Sequence, residues 1–159
     1  MSQKPHNDLA ASLQRFGLER DQMRAALARE VKVSSTDLDA LEHLEADGPL
    51  TQRDLGERLS ITSGAVTMLV DRLEASGLVV RRPHPSDRRY VLIELSAKVA
   101  SEAPAALVAY HTSIRTLVGS MSAEQRGTIS AFLKAAADAA GKAAADLHRG
   151  AGSAGSAKA

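Results

Sequence analysis

The chain has 159 residues with a formal net charge of +1, and it contains no cysteine. The lack of cysteine excludes disulfides, thiolate metal sites and thiol-based redox sensing. Aromatic residues make up 3% of the chain, so Leu, Val, Ile and Ala must form the core. No apolar run approaches the ~20 residues of a membrane span, and the first ten residues lack the apolar segment of a signal peptide. We therefore expect a cytoplasmic protein without membrane association, built as one globular domain or as a small domain with helical extensions.

The first predicted helix covers about residues 7–32. Its apolar residues recur at helical spacing, and they are Leu9, Leu13, Phe16, Met23 and Leu27. Gly17 lies inside this segment and predicts a bend or an interruption of the helix.

Three further helices share one start signal, which is an apolar residue, then Ser or Thr, then an apolar residue four positions later. They are predicted over about residues 34–46, 51–59 and 62–76. The hydroxyl of the Ser or Thr can accept a hydrogen bond from an unpaired backbone N–H in the first turn, and the two apolar residues form a hydrophobic staple. Ser60 and Ile61 separate the second helix from the third, which is the spacing of a helix-turn-helix.

A two-stranded wing is predicted directly after the third of these helices. Gly77 is typical of the position just beyond a helix end. Residues 78–82 are rich in β-branched side chains, and residues 89–95 alternate between apolar and polar. Pro83 and Pro85 prevent a regular ladder of hydrogen bonds at the tip between these strands.

Two helices and a tail are predicted after the wing. The first begins at Ser96 or Ala97 and continues to about residue 118, with Pro104 inside it, which predicts a kink or a late start. Ser122 and Gln125 form the capping box of a last helix. Small residues dominate positions 150–159, which we expect to be a flexible tail.

These elements predict a mainly α fold with a small β-wing. The winged helix-turn-helix region covers residues 33–96, with the helix-turn-helix at about 51–74 and the wing at about 78–95. The flanking helices, residues 1–32 and 97–149, carry apolar faces larger than a small wing unit can cover. We expect both to pair with a second copy and form a twofold-symmetric homodimer. The alternative is an antiparallel pairing of these helices within one monomeric chain.

An ordered set of residues carries a family resemblance. The set is Thr67, Leu69-Val70-Asp71-Arg72-Leu73-Glu74, Gly77-Leu78-Val79, Asp87-Arg88-Arg89, Val91, Ile93 and Leu95-Ser96. In this order the chain resembles the MarR (multiple antibiotic resistance regulator) family of transcription factors. The resemblance implies a six-helix winged-helix homodimer that binds a pseudopalindromic operator in double-stranded DNA. Many relatives are repressors that a small molecule releases from the DNA.

The predicted recognition helix begins with a polar turn. We expect Thr62, Ser63 and Gly64 to bind a phosphate through their hydroxyls and free N–H groups. Thr67 is predicted to lie on the same outward face and to approach a base edge. The remaining apolar residues are expected in the core, namely Ala65, Val66, Leu69, Val70 and Leu73.

Two positions of this helix leave alternatives open. Relatives often carry Arg after the Thr of the recognition helix, where this chain has Met68. Met68 would either touch a thymine methyl group or pack against the protein. Arg72 would either meet a phosphate or pair with Asp71, Glu74 or another acidic residue.

The wing concentrates positive charge, with four arginines and one aspartate between Leu78 and Tyr90. We predict that Arg89 enters a minor groove, where a narrow A·T-rich segment has enhanced negative potential. Asp87 would bond the tip or orient Arg89, and Ser86 would cap the turn or touch a phosphate. The other arginines are expected to contact the DNA backbone, and they are Arg81, Arg82 and Arg88.

Other kinds of site have weaker support in the sequence. A regulatory ligand is expected between the wing unit and the dimer helices, with candidate lining residues Phe16, Met23, His43, Tyr110 and His111. No two histidines lie three or four residues apart, and neither a Gly-rich phosphate loop nor a nucleophile elbow occurs. We therefore expect no metal site, no cofactor and no enzymatic activity.

The pattern thus favours a sequence-specific DNA-binding transcriptional regulator, with repression as its expected mode. The alternative is a winged-helix module for protein–protein contact, with the arginines meeting an acidic partner. A protein-binding module would expose an apolar patch at this surface. The arginines of the tip and the hydroxyls of the recognition helix favour DNA instead.

Overall fold

Helices dominate the computed structural model, which describes residues 4–87 and 89–155. Its helices are α1 (Lys4–Glu30), α2 (Ser35–Asp47), α3 (Gln52–Leu59), α4 (Ser63–Ala75), α5 (Ala97–Ser101), α6 (Ala105–Gly119) and α7 (Ala123–Gly155). Its strands are β1 (Leu50–Thr51), β2 (Val79–Pro83) and β3 (Val91–Leu95). The predicted fold class, mainly α with a small β-wing around a helix-turn-helix, is confirmed. Among the described residues, none of the helices combines the length and the apolar character needed to cross a membrane.

The chain divides into two compact units, with the boundary between Leu107 and Val108. The first unit contains the helix-turn-helix and the sheet. The second contains most of α6 and all of α7. None of the residues 108–147 in the second unit is buried.

The predicted start signals of α2, α3 and α4 are confirmed in atomic detail. Ser34 and Asp37 form a capping box, in which each residue's backbone N–H donates to the other's side chain. Thr51 and Asp54 form the same arrangement at α3. Thr62 caps α4 by its hydroxyl alone. These side chains accept hydrogen bonds from backbone N–H groups that have no partner within the helices themselves.

The end of α4 is set by Gly77, as predicted. Gly77 has a φ of +70°, which a residue without a Cβ adopts at little cost. Its N–H donates to the carbonyl of Glu74 at 2.9 Å, and the N–H of Leu78 donates to the carbonyl of Leu73 at 2.9 Å. This pair of bonds is a Schellman motif, and it turns the chain from α4 directly into β2.

The sheet has three strands in the order β1-β3-β2, all antiparallel. The predicted two-stranded wing is confirmed by the pairing of β2 with β3, and the third strand, β1, was not predicted. Leu50 pairs with Ile93, and a two-residue strand is too short to show an alternating pattern in the sequence. Pro83 pairs with Val91 at the outer end of β2, and the N–H of the next residue, His84, donates to the carbonyl of Tyr90 at 3.0 Å.

One apolar core joins α2, α3, α4 and the sheet. Its buried members are Ala40, Leu41, Leu44, Leu50, Leu55, Val66, Leu69, Val70, Leu73, Val79 and Ile93. Four of the five core residues predicted in α4 are among them. Ala65 is exposed instead, because it lies about 100° around the helix from Val66, beyond the edge of the buried stripe.

The C-terminal prediction needs two corrections. Residues 97–118 form two helices and not one, because α5 ends at Ser101 and α6 begins only after Pro104. The proline ring and its missing N–H are incompatible with a helix interior. In addition, α7 continues through Gly155, into the segment where a flexible tail was predicted. Alanine favours helix, and an existing helix extends more easily than a new one begins.

The close contact between α3 and α4 depends on Gly56. A Cβ at this position would lie 2.8 Å from Cγ2 of the buried Val66, nearer than a carbon–carbon contact allows. We expect Gly56→Ala to lower the free energy of unfolding by about 1–3 kcal/mol through overpacking. Denaturant unfolding with a circular dichroism readout measures this change.

Gly64→Ala is the matched control, because nothing lies within 4 Å of the position of its Cβ. This change should leave stability unaltered or raise it by up to about 1 kcal/mol, since Ala favours helix. Removing the clashing methyl in a Gly56→Ala/Val66→Ala double variant should cost less than the sum of the single changes. Equal stability of the two single glycine variants would contradict the proposed role of Gly56.

Candidate nucleic-acid interface

The first half of α4 is an exposed surface without charged side chains. The exposed residues predicted to face DNA here are Thr62, Ser63, Gly64, Thr67 and Met68. Thr67 Oγ1 donates to the carbonyl of Ser63 at 3.0 Å, and Thr62 Oγ1 accepts from the N–H of Ala65 at 3.3 Å. The structure thus brings the predicted residues together on one side of the helix. Met68 is 69% exposed, so it does not pack into the protein.

Arg72, further along α4, pairs with Asp37 of α2. Its Nη2 and Nε lie 2.5 and 3.1 Å from the two carboxylate oxygens of Asp37. Of the partners considered for Arg72 from the sequence, the structure selects an acid other than Asp71 or Glu74. The pair fastens the second half of the recognition helix to α2, while half of the Arg72 side chain remains exposed.

Asp37 is a buried acidic residue, with 3% of its surface exposed. Its burial raises the pKa of the carboxyl group, but the hydrogen bonds from Arg72 and Ser34 and the positive charge of Arg72 outweigh this effect. The net result is a pKa below the ordinary value of 3.8. The carboxylate is therefore held in its charged form by the contacts that it makes.

Arg81 in β2 connects the wing to the end of α4. Its Nη2 lies 2.6 Å from Oδ1 of Asp71, and its Nη1 donates to the carboxylate of Glu74. Arg81 was predicted to contact the DNA backbone, and the structure places it against two acidic residues of α4 instead. Its single positive charge lies between the two carboxylates and offsets one of their two negative charges beside the wing.

Arg82 pairs across the sheet with Glu94. Nε of Arg82 lies 2.6 Å from Oε1 of Glu94, and two thirds of the Arg82 side chain is exposed. An exposed pair of this kind contributes little to stability. The guanidinium of Arg82 can therefore bind a further partner from the solvent side.

The wing tip carries a close pair between Asp87 and Arg89. The carboxylate accepts hydrogen bonds from Nη2 of Arg89 at 2.7 Å and from its Nε at 3.0 Å, and also from its backbone N–H at 3.1 Å. These bonds from Arg89 lower the pKa of the Asp87 carboxyl group. Arg89 is 83% exposed at its side chain, so Asp87 fixes its direction without covering it. Arg88 lies outside the described residues.

His84 organises the tip, a role that the sequence did not suggest. Its Nδ1 accepts from the backbone N–H groups of Ser86 and Asp87, each at 3.3 Å. Its ring packs edge-on against Tyr90, with the centroids 6.4 Å apart. The hydroxyl of Ser86 also lies 3.3 Å from Nδ1. The only signal in the sequence was a histidine between the two prolines of the tip.

A hollow between α3 and α4 adjoins the exposed surface of α4. It is lined by Gln52, Arg53, Gly56, Glu57, Ser60, Ile61, Ser63, Val66 and Thr67. Arg53 is exposed and pairs with Glu57 one turn later, with Nε 3.0 Å from Oε1. Arg53 is a cation near the α4 surface that the sequence analysis did not include.

The predicted ligand-pocket residues fall in both units. In the first, Phe16 is exposed, while Met23 and His43 are half-buried. In the second, the rings of Tyr110 and His111 approach each other with centroids 5.6 Å apart. A pocket lined by all five residues stays a prediction. Within the part of the chain that the structure describes, no group of three or more His, Asp or Glu side chains converges as a metal site would require.

A family model and several proteins match this chain. The model described as MarR family matches residues 31–89. The uncharacterized HTH-type transcriptional regulator YcgE of Bacillus subtilis (strain 168) is 43% identical over 68 residues, which are 43% of this chain and 44% of that protein. The multiple antibiotic resistance protein MarR of Salmonella typhimurium is 34% identical over 64 residues, 40% of this chain and 44% of that protein. The chain thus spans less than half the length of these curated relatives.

Solved structures match over a larger part of the chain. The MepR F27L mutant of S. aureus, bound to an oligodeoxyribonucleotide, has a TM-score of 0.52 and 22% identity, and the match covers 82% of this chain and 96% of that one. RV1404 of Mycobacterium tuberculosis has a TM-score of 0.57 and 23% identity, with 89% and 97% covered. At these identities the likeness establishes a shared fold. Of the two curated relatives named above, the one from Bacillus subtilis is described as a transcriptional regulator.

Proposed function

We propose that this chain, whose residues 31–89 match the MarR family, is a transcriptional regulator that binds double-stranded DNA. One observation carries the proposal. A single unit combines the exposed, hydroxyl-bearing start of α4 with a wing tip on which Arg89 is exposed and directed by Asp87. A helix of this kind fits a major groove, and an arginine beside it can reach the next minor groove.

The proposed contacts differ in what they contribute. Ser63 and Gly64, at the start of α4, can offer N–H groups to a phosphate. Arg89 would enter the minor groove, and Met68 and Thr67 would approach base edges. The full proposed set is Thr62, Ser63, Gly64, Thr67, Met68, Arg72, Arg81, Arg82, Ser86, Arg88 and Arg89. Within it, Arg72 and Arg81 are paired with acids of the protein, so we assign them to positioning the helix and the wing.

We propose that the regulator is a homodimer on a pseudopalindromic operator. Large apolar side chains are exposed on α1, α6 and α7, and a second copy would bury them. They include Leu9, Phe16, Leu18, Ile114, Leu117, Ile129, Phe132, Leu133 and Leu147. A twofold pair that places two recognition helices ~34 Å apart would meet successive major grooves on one side of the duplex. Sedimentation equilibrium would test the assembly.

Repression and release by a small molecule are the remaining parts of the proposal. A DNA-bound regulator that covers a promoter excludes polymerase, and the family resemblance supports this mode. The half-buried Met23 and His43 and the contacting rings of Tyr110 and His111 are the proposed sensing positions, together with Phe16. Calorimetry with phenolic acids, together with loss of DNA binding, would identify such a ligand.

Selection of bound fragments from genomic DNA, followed by a salt titration of the best fragment, tests the proposal. We expect a defined sequence to be enriched. Its affinity should fall linearly on a log–log plot against salt, with a slope of about −0.9 per phosphate neutralised. A slope near zero with no enriched sequence would contradict DNA binding and favour an acidic protein partner for the wing.

A further inference from the structure

The outward surface of α4, a helix that the structure describes in full, offers no free cation to a base. From Thr62 to Val70 the chain has no charged residue. The charged residues that follow are engaged with the protein, since Asp71 and Glu74 bind Arg81, and Arg72 binds Asp37. A guanine is usually recognised in the major groove by an arginine or lysine that donates to its O6 and N7. Within α4, such a group is not available.

The same surface offers methyl groups. Met68 is the large apolar side chain exposed on α4, and Ala65 beside it is exposed as well. The hydroxyl of Thr67 donates to the carbonyl of Ser63, which leaves its methyl group available to a partner. Gly64 has open space around the position of a Cβ, so another molecule can approach the backbone there.

The methyl groups exposed on this surface have one chemical match in the major groove. The C5-methyl group of thymine is the apolar feature that base pairs display there, and the other groups are donors or acceptors. Met is flexible and polarisable and adapts to small apolar groups. In the folded chain alone, by contrast, an exposed methionine gains no burial.

We propose that Met68 selects thymine in the operator by contact with its C5-methyl group, so that the recognition helix specifies A·T pairs without an arginine–guanine contact. This inference rests on the proposed DNA-binding function and adds the base that α4 recognises. Sequence specificity at this helix then comes from burial of methyl groups. Affinity comes mainly from the wing and from the phosphate contacts.

Replacement of single thymines by deoxyuridine tests the inference, because it removes the C5-methyl group and nothing else. The probe is the duplex selected from genomic DNA, changed one thymine at a time. We expect the wild-type protein to lose about fourfold in affinity at one or two adjacent positions of each half-site, the effect of one buried methyl group. The Met68→Ala variant should bind the original duplex about as weakly and should not distinguish thymine from deoxyuridine at those positions.

A second variant makes the test independent of a loss of binding. Met68→Arg should enrich fragments with a guanine at the positions where the wild type enriches thymine. Met68 is exposed, so both variants should keep the unfolding temperature of the wild type, which is the control for folding.

The outcomes separate this inference from the proposed function. If the wild type and the Met68→Ala variant lose the same affinity at every deoxyuridine position, the thymine contact is overturned while DNA binding stands. The same conclusion follows if the wild type binds every deoxyuridine duplex as tightly as the original one. If no sequence is selected and no salt-dependent binding occurs, the proposed function fails and this inference fails with it.

Discussion

Replacement of Arg89 by Ala is expected to weaken operator binding by about tenfold to a hundredfold, which corresponds to about 1–3 kcal/mol for a groove contact. Arg89 is the exposed guanidinium at the wing tip, and Asp87 holds it in place through three side-chain hydrogen bonds. The change removes both a charge and a shape that fits a narrow minor groove. Fluorescence anisotropy with the selected duplex at fixed salt measures the loss.

Arg89→Ala should leave the free energy of unfolding unchanged. The Arg89 side chain is exposed, and its partners, Asp87 and the ring of Tyr90, lie at the wing tip. Arg20→Ala is the matched control. It removes the same charge from α1, where Arg20 pairs with Glu42, outside the proposed DNA surface. We expect it to change affinity by less than about twofold at moderate salt, where distant charges are screened. Unchanged affinity of the Arg89 variant would show that the wing does not enter the groove.

Replacement of Asp37 by Asn is expected to destabilise the protein by about 1–3 kcal/mol, the cost of removing one partner from a buried, charge-assisted pair. Asp37 is buried, accepts two hydrogen bonds from Arg72 and closes the cap of α2 with Ser34. Asn keeps the shape of the side chain but loses the charge. Denaturant unfolding at a fixed protein concentration measures the change, since the proposed dimerisation would make stability depend on concentration.

The effect of Asp37 should also depend on pH. The pKa of its carboxyl group is lower in the folded protein than its ordinary value of 3.8. A group of this kind contributes its full stability above the unfolded pKa and loses it as the pH falls through the folded pKa. The difference in stability between wild type and Asp37→Asn should therefore be constant above about pH 5 and shrink below about pH 4.

Asp39→Asn is the matched control on the same helix. Asp39 pairs with Arg24 of α1, but 41% of its side chain is exposed, so we expect a loss of at most about 1 kcal/mol. Equal losses in the two variants would contradict a special contribution from the buried pair between Asp37 and Arg72.

Local signals were sufficient to predict α2, α3, α4 and the two strands of the wing, but not β1. The hydroxyls of Ser34, Thr51 and Thr62 and the glycine at position 77 act on neighbours within four residues of the chain. Such interactions are the same in any fold, so a sequence pattern identifies them. Helical spacing is also a local signal, and it predicted correctly which residues of α4 are exposed, apart from Ala65.

Partners distant in the chain could not be predicted in this way. Asp37 and Arg72 are separated by 35 positions, and the sequence offered Asp71 and Glu74 as nearer acids. Arg81 pairs with Asp71 and Glu74 instead, because the chain reverses at Gly77 and places β2 beside α4. His84 acts through backbone N–H groups that converge only when the tip has formed.

The pairing of Leu50 with Ile93 also has a consequence for how the domain folds. It closes a loop that contains α3, α4 and β2, and closing so long a loop costs conformational entropy that only the finished structure compensates. The amide hydrogens of β1 should therefore exchange with solvent together with those of the helix-turn-helix, as one cooperative unit. A fragment that ends before β3 lacks the strand that joins both others, so the smallest autonomously folding piece must extend at least to Leu95.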